Sequence, residues 1–148
     1  MRQKSNGRPG IESWQDFENF EWSRSEDADL SELEYYEKYL PPDMSVFHCL
    51  DVWERVRELF GYEKFCYMLY DDPALIDAVF DKVGGFAVEI ARALCDFDRF
   101  GCLYMCDDLG YKTSTMLPPE TIRRIIIPWH KKLAEVVHSH GKLLFLHS

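Results

Sequence analysis

The stretch from Gly101 to Thr115, GCLYMCDDLGYKTST, constrains the fold more than any other part of this 148-residue chain. Its apolar beginning predicts a buried strand over 101–107, because a parallel strand is covered on both faces and reads as a continuous apolar run. The run stops at Asp107 and Asp108 and then becomes a loop rich in Gly and Thr. Open α/β sheets and barrels place their sites at the carboxyl ends of strands, so these two carboxylates are the candidate catalytic residues.

Asp107 and Asp108 cannot both face one site, because side chains alternate across a strand. One of them shares a face with Leu103 and Met105, and the other shares a face with Tyr104. The pattern does not decide which carboxylate faces a site. An Asp at a turn also commonly orders the loop that follows it, so catalysis and loop ordering both stay open for this pair.

Two amphipathic helices are the next strongest signals. One is predicted from Pro73 to about Phe97, with Asp72 as its N-cap and an apolar stripe at i, i+3, i+4 spacing. The other is predicted over 119–140. Pro128 falls inside it and removes a backbone hydrogen bond, so we expect a kink or a break there.

Three short apolar strands are predicted, near 44–49, 101–107 and 142–147, and each ends on a polar group. The first ends on His48 and the last on His147. Parallel strands would bring such endings to one rim, as a (β/α)8 barrel does. The fold class predicted is therefore α/β, a partial TIM barrel with βαβαβ order. A lone His at a strand end is more often a satisfied core histidine than a ligand.

The predicted domains are an acidic helical arm over 1–43 and a partial barrel domain over 44–148 that is truncated at its C-terminus, because a complete barrel needs roughly 250 residues. From Glu12 to Asp43 there are eleven acidic and two basic residues, while the rest of the chain is electrically balanced. Phosphate binding needs clustered Lys and Arg, so nucleic acid is excluded as a partner. No apolar run approaches the ~20 residues of a membrane span, and the polar start is unlike a signal peptide. We expect a cytoplasmic protein with no membrane partner.

The five cysteines are odd in number and form no Cys-x-x-Cys pair, which favours reduced thiols over a disulfide framework or a zinc knuckle. Cys102 and Cys106 share a predicted strand face. They lie about 13 Å apart along the strand, too far to chelate one metal ion together.

Three segments are more specific than these patterns: GYEKFCYMLYDDPALIDAVFDKV at 61–83, CDDLGYKTSTMLPPETIRR at 106–124, and PWHKKLAEVVHSHGKLLFLHS at 128–148. In order and spacing they resemble the uroporphyrinogen decarboxylase superfamily, and in particular its branch of corrinoid-linked methyltransferases that act on thiols. The resemblance begins at about Trp53 and covers about two thirds of the chain. It implies a (β/α)8 barrel, of which this chain would be a fragment.

The methyltransferase branch implies a zinc site. One of its strands ends in a His-x-Cys-Gly motif whose His and Cys bind zinc, and His147 with Ser148 matches the first two positions. The resemblance therefore makes His147 a metal ligand, with a methyl-corrinoid as donor, a small-molecule thiol as acceptor and a corrinoid protein as a possible partner. We assign substrate binding to His48 and to Lys112, the basic residue of the loop after the strand.

Two alternatives remain open. The decarboxylase branch, which serves porphyrin biosynthesis, holds a tetrapyrrole in the barrel mouth without a cofactor, and Asp107 matches an Asp that would contact pyrrole nitrogens. The strand at 46–54 lacks the Gly and Pro of that branch, and the loop 108–117 offers only Lys112 to substrate carboxylates. The last alternative is an inactive fragment whose exposed sheet edges favour association.

Overall fold

A computed structural model describes residues 10–147, and the first nine residues of the predicted arm and Ser148 lie outside the described residues. Residues 10–147 form seven α-helices, a three-stranded parallel sheet and a small antiparallel hairpin, which confirms the α/β class. In chain order the elements are α1 (Trp14–Asn19), α2 (Ser31–Tyr39), β1 (Val46–Leu50), α3 (Trp53–Phe60), α4 (Tyr62–Asp71), α5 (Pro73–Cys95), β2 (Phe100–Met105), β3 (Gly110–Tyr111), β4 (Ser114–Thr115), α6 (Pro119–Ile125), α7 (Ile127–Ser139) and β5 (Leu143–Leu146).

The parallel sheet has the sequential order β1-β2-β5, with β2 in the middle. Between Val46 and Phe47 the register shifts, so that Val46 pairs with Phe100 while Phe47 pairs with Cys102. Gly101 is the extra residue of this bulge. A Cβ there would come within 2.9 Å of the Ser45 Cβ, so only glycine lets the two strands approach this closely.

The two faces of the sheet have different surroundings. Leu103 and Met105 of β2 are fully buried against the helices. Residues 10–147 leave the opposite face largely exposed: Phe47 is 64% exposed, Phe145 is 56% exposed and Leu143 is 59% exposed. We call this second surface the open face. Parallel sheets normally have both faces covered, so an apolar open face is unusual.

The helix layer follows the sequence pattern closely. The Asp72 side chain accepts a hydrogen bond from the Leu75 backbone N–H at 3.1 Å and so caps α5, as predicted. The predicted break near Pro128 is also confirmed, because α6 ends at Ile125 and Pro128 lies in the first turn of α7. Helices α5 and α7 pack closely where Gly84 meets the Trp129 ring.

The acidic arm contacts the body of the chain. Ile11 is fully buried, and its backbone N–H donates to the Leu59 carbonyl at 3.0 Å. The Trp14 indole N–H donates to the Asp72 carboxylate at 2.8 Å. In α2, Glu37 accepts a hydrogen bond from the Arg99 backbone N–H at 2.6 Å, just before β2 begins.

Several predicted bounds move by one or two residues. The strand predicted near 44–49 is Val46–Leu50, so it does not end on His48. The strand predicted over 101–107 is Phe100–Met105, and the one predicted over 142–147 is Leu143–Leu146. Helix α4 and the β3–β4 hairpin were not predicted; the hairpin forms from the loop after Asp108.

Candidate functional site

Asp107 is fully buried, and its carboxylate is occupied by protein donors. One oxygen accepts from the backbone N–H of Val52 at 3.0 Å and from that of Glu54 at 3.2 Å. The other oxygen lies 2.7 Å from Nε2 of His130. Both backbone donors belong to the beginning of α3, so Asp107 caps that helix across a separation of more than fifty residues.

Asp108 is exposed and orders the loop that follows it. Its Oδ1 accepts from the Gly110 backbone N–H at 2.9 Å, which is an Asx turn. Its backbone carbonyl accepts from the Trp53 indole N–H at 3.1 Å. The loop-ordering interpretation that the sequence left open therefore describes the contacts of Asp108, while Asp107 fixes α3.

His130, the partner of Asp107, was not predicted as a site residue. It lies in the first turns of α7 and is 8% exposed. An ionised carboxylate only accepts, so with Asp107 ionised the Nε2–H of His130 is the donor of this hydrogen bond. The other ring nitrogen, Nδ1, is buried and has no hydrogen-bond partner among residues 10–147. Only its spacing on the stripe of α7 could have suggested that this histidine faces the interior.

His48 lies on the helix-facing side of the sheet. It pairs with Leu103, which is fully buried on that side. Burial lowers the pKa of the His48 imidazole below its usual 6.5, and the nearby carboxylate of Glu32 partly offsets this effect. Strand alternation puts His48 and Asp107 on the helix side of the sheet and His147 on the open face, so the expected convergence of all three side chains on one rim is not what the structure shows.

His147 follows β5 directly and lies on the open face. Its ring centre is 6.4 Å from that of Tyr104, and its backbone N–H donates to the Met105 carbonyl at 2.8 Å. The His147 side chain is exposed. Lys112 is also exposed, at the turn of the β3–β4 hairpin that follows β2.

Two cysteines also lie near each other on the open face, and the sequence did not predict this pair. Cys49 of β1 pairs with Tyr104 of β2, and Cys106 is the next residue of the β2 segment on the same face. The Cys106 thiol lies 3.9 Å from the Tyr104 carbonyl oxygen, to which it donates. Burial, followed by the neighbouring Cys49 thiol and the nearby carboxylates of Asp51 and Asp107, raises the pKa of the Cys106 thiol to about 11.

Asp51 completes this end of the open face. It follows β1, and its carboxylate lies 3.7 Å from the Arg55 guanidinium. Burial raises the pKa of Asp51 above its usual 3.8, because it outweighs the attraction of Arg55, and the carboxylate of Asp107 adds to the rise. We call Cys49, Asp51, Cys106 and His147 the rim group.

The rim group therefore unites one predicted site residue, His147, with three that were not predicted. Asp107 and His48 lie on the helix side instead. In the part of the chain that the structure describes, no three His, Cys, Asp or Glu side chains form a group that could hold a metal ion. An open cleft of about 780 Å³ between α5 and α7 contains none of these residues; it is lined by Val88, Arg92, Ala93, Asp96, Lys132, Glu135, Val136, Ser139 and His140.

Comparisons of the chain with protein-family models, with curated proteins and with solved structures find no match. Among the helices of residues 10–147, none has both the length and the apolar character that crossing a membrane requires.

Proposed function

We propose that this chain is part of a larger (β/α)8-barrel enzyme of the uroporphyrinogen decarboxylase superfamily, and that the full-length protein transfers a methyl group from a methyl-corrinoid to a thiol with the help of zinc. The observation that carries the proposal is the open face. Its strands follow each other in sequence order, and it ends in a polar rim with an exposed histidine, His147.

The order of the strands supports a barrel over a doubly wound sheet. A doubly wound sheet has helices on both faces and a reversal of strand order. The order β1-β2-β5 is sequential, and the helices of residues 10–147 leave one apolar face of this sheet exposed. In a barrel that free face is the interior, filled by side chains of the remaining strands. The exposed Phe47 and Phe145 are bulky apolar side chains suited to such an interior.

The position of His147 supports a site at the carboxyl ends of the strands, where barrels hold their catalytic residues. Its imidazole is of the ligand type that zinc binds, and it is exposed on the open face. Since residues 10–147 supply no group of three ligands, the remaining zinc ligands would come from outside these residues. Zinc, when bound, holds a thiol as the thiolate that attacks a methyl group.

Two further residues near this end of the sheet would act on the substrate. Asp51 supplies a carboxylate beside the site. Lys112 is exposed on the hairpin at the same end of β2 and would bind an anionic group of the substrate. A corrinoid protein is the expected partner, since the methyl donor must reach the rim from solvent.

The decarboxylase alternative has less support from the contacts of Asp107. That alternative requires Asp107 to contact pyrrole nitrogens, but its two oxygens already accept from Val52, Glu54 and His130, and the side chain is fully buried. The inactive-fragment alternative concerns this chain in isolation and is compatible with the proposal for the full-length protein.

Zinc content tests the proposal. Elemental analysis is made on the full-length gene product that contains this chain, on its His147→Ala variant and on a His138→Ala control, which removes an exposed imidazole near the other end of the sheet. We expect about one zinc per chain in the parent and the control, as in a catalytic zinc site, and loss of zinc in His147→Ala. Absence of zinc from all three proteins would reject the mechanism, as would unchanged zinc in His147→Ala.

A further inference from the structure

Cys49 and Cys106 bring two thiols together from neighbouring strands on the open face. The register places Cys49 opposite Tyr104, and Cys106 is the next residue on that face. The Cys49 thiol lies close enough to Cys106 to act on it electrostatically. Cys49 is exposed and Cys106 is half-buried, so an ion in solvent can reach both sulfurs.

The surroundings of the pair are electrically negative. The carboxylates of Asp51 and Asp107 both act on the Cys106 thiol, and Asp51 also lies 3.7 Å from the Arg55 guanidinium. A negative field beside two sulfur atoms favours a cation over an anion as the ligand.

We propose that Cys49 and Cys106 form a two-coordinate site for a soft monovalent cation of the Cu(I) type. Thiolate sulfur selects soft metals, and such an ion needs only two ligands, whereas structural zinc requires four. Because no third His, Cys, Asp or Glu among residues 10–147 joins the pair in a metal-binding group, a two-coordinate ion fits what these residues offer. On binding, two S–H bonds break, two metal–sulfur bonds form, and two protons pass to water without any change of oxidation state.

A disulfide is the competing chemistry for two adjacent thiols. Its formation removes two electrons from the pair and so requires an oxidant, whereas binding of a monovalent cation leaves both sulfurs reduced. Without an oxidant the pair stays a dithiol that such an ion can occupy. The proposal uses neither zinc nor His147, so it does not depend on the function proposed above.

Competition for Cu(I) tests the site. The reduced full chain is titrated without oxygen against the Cu(I) complex of bicinchoninate, whose colour reports the copper that it retains. The same titration is made on Cys49→Ser, Cys106→Ser and a Cys66→Ser control, which removes a half-buried thiol of α4. Far-UV circular dichroism verifies that each variant is folded.

We expect the parent and Cys66→Ser to withdraw about one Cu(I) per chain, the ratio of one ion to one thiol pair. Each rim variant should lose more than the roughly 10–100-fold in affinity that removal of an outer-shell partner costs a metal site. A parent that takes no Cu(I), or rim variants that bind as tightly as the parent, would overturn the proposal. If Cys106→Ser does not fold, the exposed Cys49→Ser decides the result.

X-ray absorption at the copper edge gives a second, independent readout on the loaded parent. We expect two sulfur neighbours around the metal and no nitrogen. A spectrum dominated by nitrogen neighbours would assign the copper to histidines and overturn the dithiol site.

Discussion

Replacing Asp107 with alanine should destabilise the chain severely. The substitution removes the acceptor of three buried donors: the backbone N–H groups of Val52 and Glu54 and the Nε2–H of His130. Since Asp107 is fully buried, water does not readily take the place of its carboxylate. Helix α3 would also lose the negative charge that interacts with the N–H groups at its first turn.

The magnitude follows from these contacts. A buried donor left without a partner costs about 1–3 kcal/mol, and the substitution leaves three such donors. We therefore expect the free energy of unfolding of Asp107→Ala to fall by about 4 kcal/mol. With a urea dependence of about 2 kcal/mol per molar, the midpoint of urea unfolding should fall by about 2 M.

Two variants control this experiment. Asp107→Asn keeps an acceptor for the α3 backbone but removes the charge, so we expect a smaller loss of about 1–2 kcal/mol. Asp108→Asn preserves the Asx turn to Gly110 on an exposed side chain and should change the free energy of unfolding by less than about 0.5 kcal/mol. If urea unfolding gives Asp107→Ala a free energy of unfolding within about 1 kcal/mol of the parent's value, the assignment of Asp107 as the cap of α3 is refuted.

Three further predictions concern packing and pH. In Gly84→Ala the new Cβ would lie 2.2 Å from the Trp129 ring, so we expect the free energy of unfolding to fall by about 2–3 kcal/mol. In Gly85→Ala no atom lies within 4 Å of the new Cβ, so the free energy of unfolding should rise by about 0.5–1 kcal/mol. Thermal unfolding of the two variants checks both signs. The pKa of Asp51 is raised, so its charged form destabilises the fold as the pH rises above 3.8. At pH 7 the variant Asp51→Asn should therefore have a higher urea midpoint than the parent. Below pH 3.8 the two midpoints should be equal. The pKa of His48 is lowered, so the stability that its neutral form contributes is lost as pH falls through 6.5; an NMR titration should place its midpoint below 6.5, and a midpoint above that value would contradict its burial.

The elements that the sequence predicted well are those with strong local signals. Helix α5 carries its apolar stripe, its N-cap and a proline in its first turn in adjacent residues, and the break before α7 follows from the covalent structure of Pro128. Helix α4 was missed because Gly61, which follows α3 directly, is of the residue type that most often ends a helix. In the structure Gly61 has φ +75° and also precedes the first turn of the next helix.

The candidate site was less predictable because its geometry depends on the register of distant strands. The bulge at Gly101 sets which residues of β1 and β2 share a face, and nothing in either strand alone fixes that shift. The sequence therefore indicated Cys102 with Cys106 on one strand, whereas the contact is between Cys49 and Cys106 on two strands. The pairing of Asp107 with His130 likewise requires α7 to pack behind the end of β2.

A crystal structure of the full-length gene product that contains this chain would test the central claim most directly. The exposed fractions of Phe47 and Phe145 are the quantities to measure, since they are 64% and 56% in this chain by itself. A barrel predicts that further parallel strands pair with β1 and β5 and that both rings become buried in its interior, with His147 at the mouth. A sheet that ends at β1 and β5, with both rings still in solvent, would contradict the account.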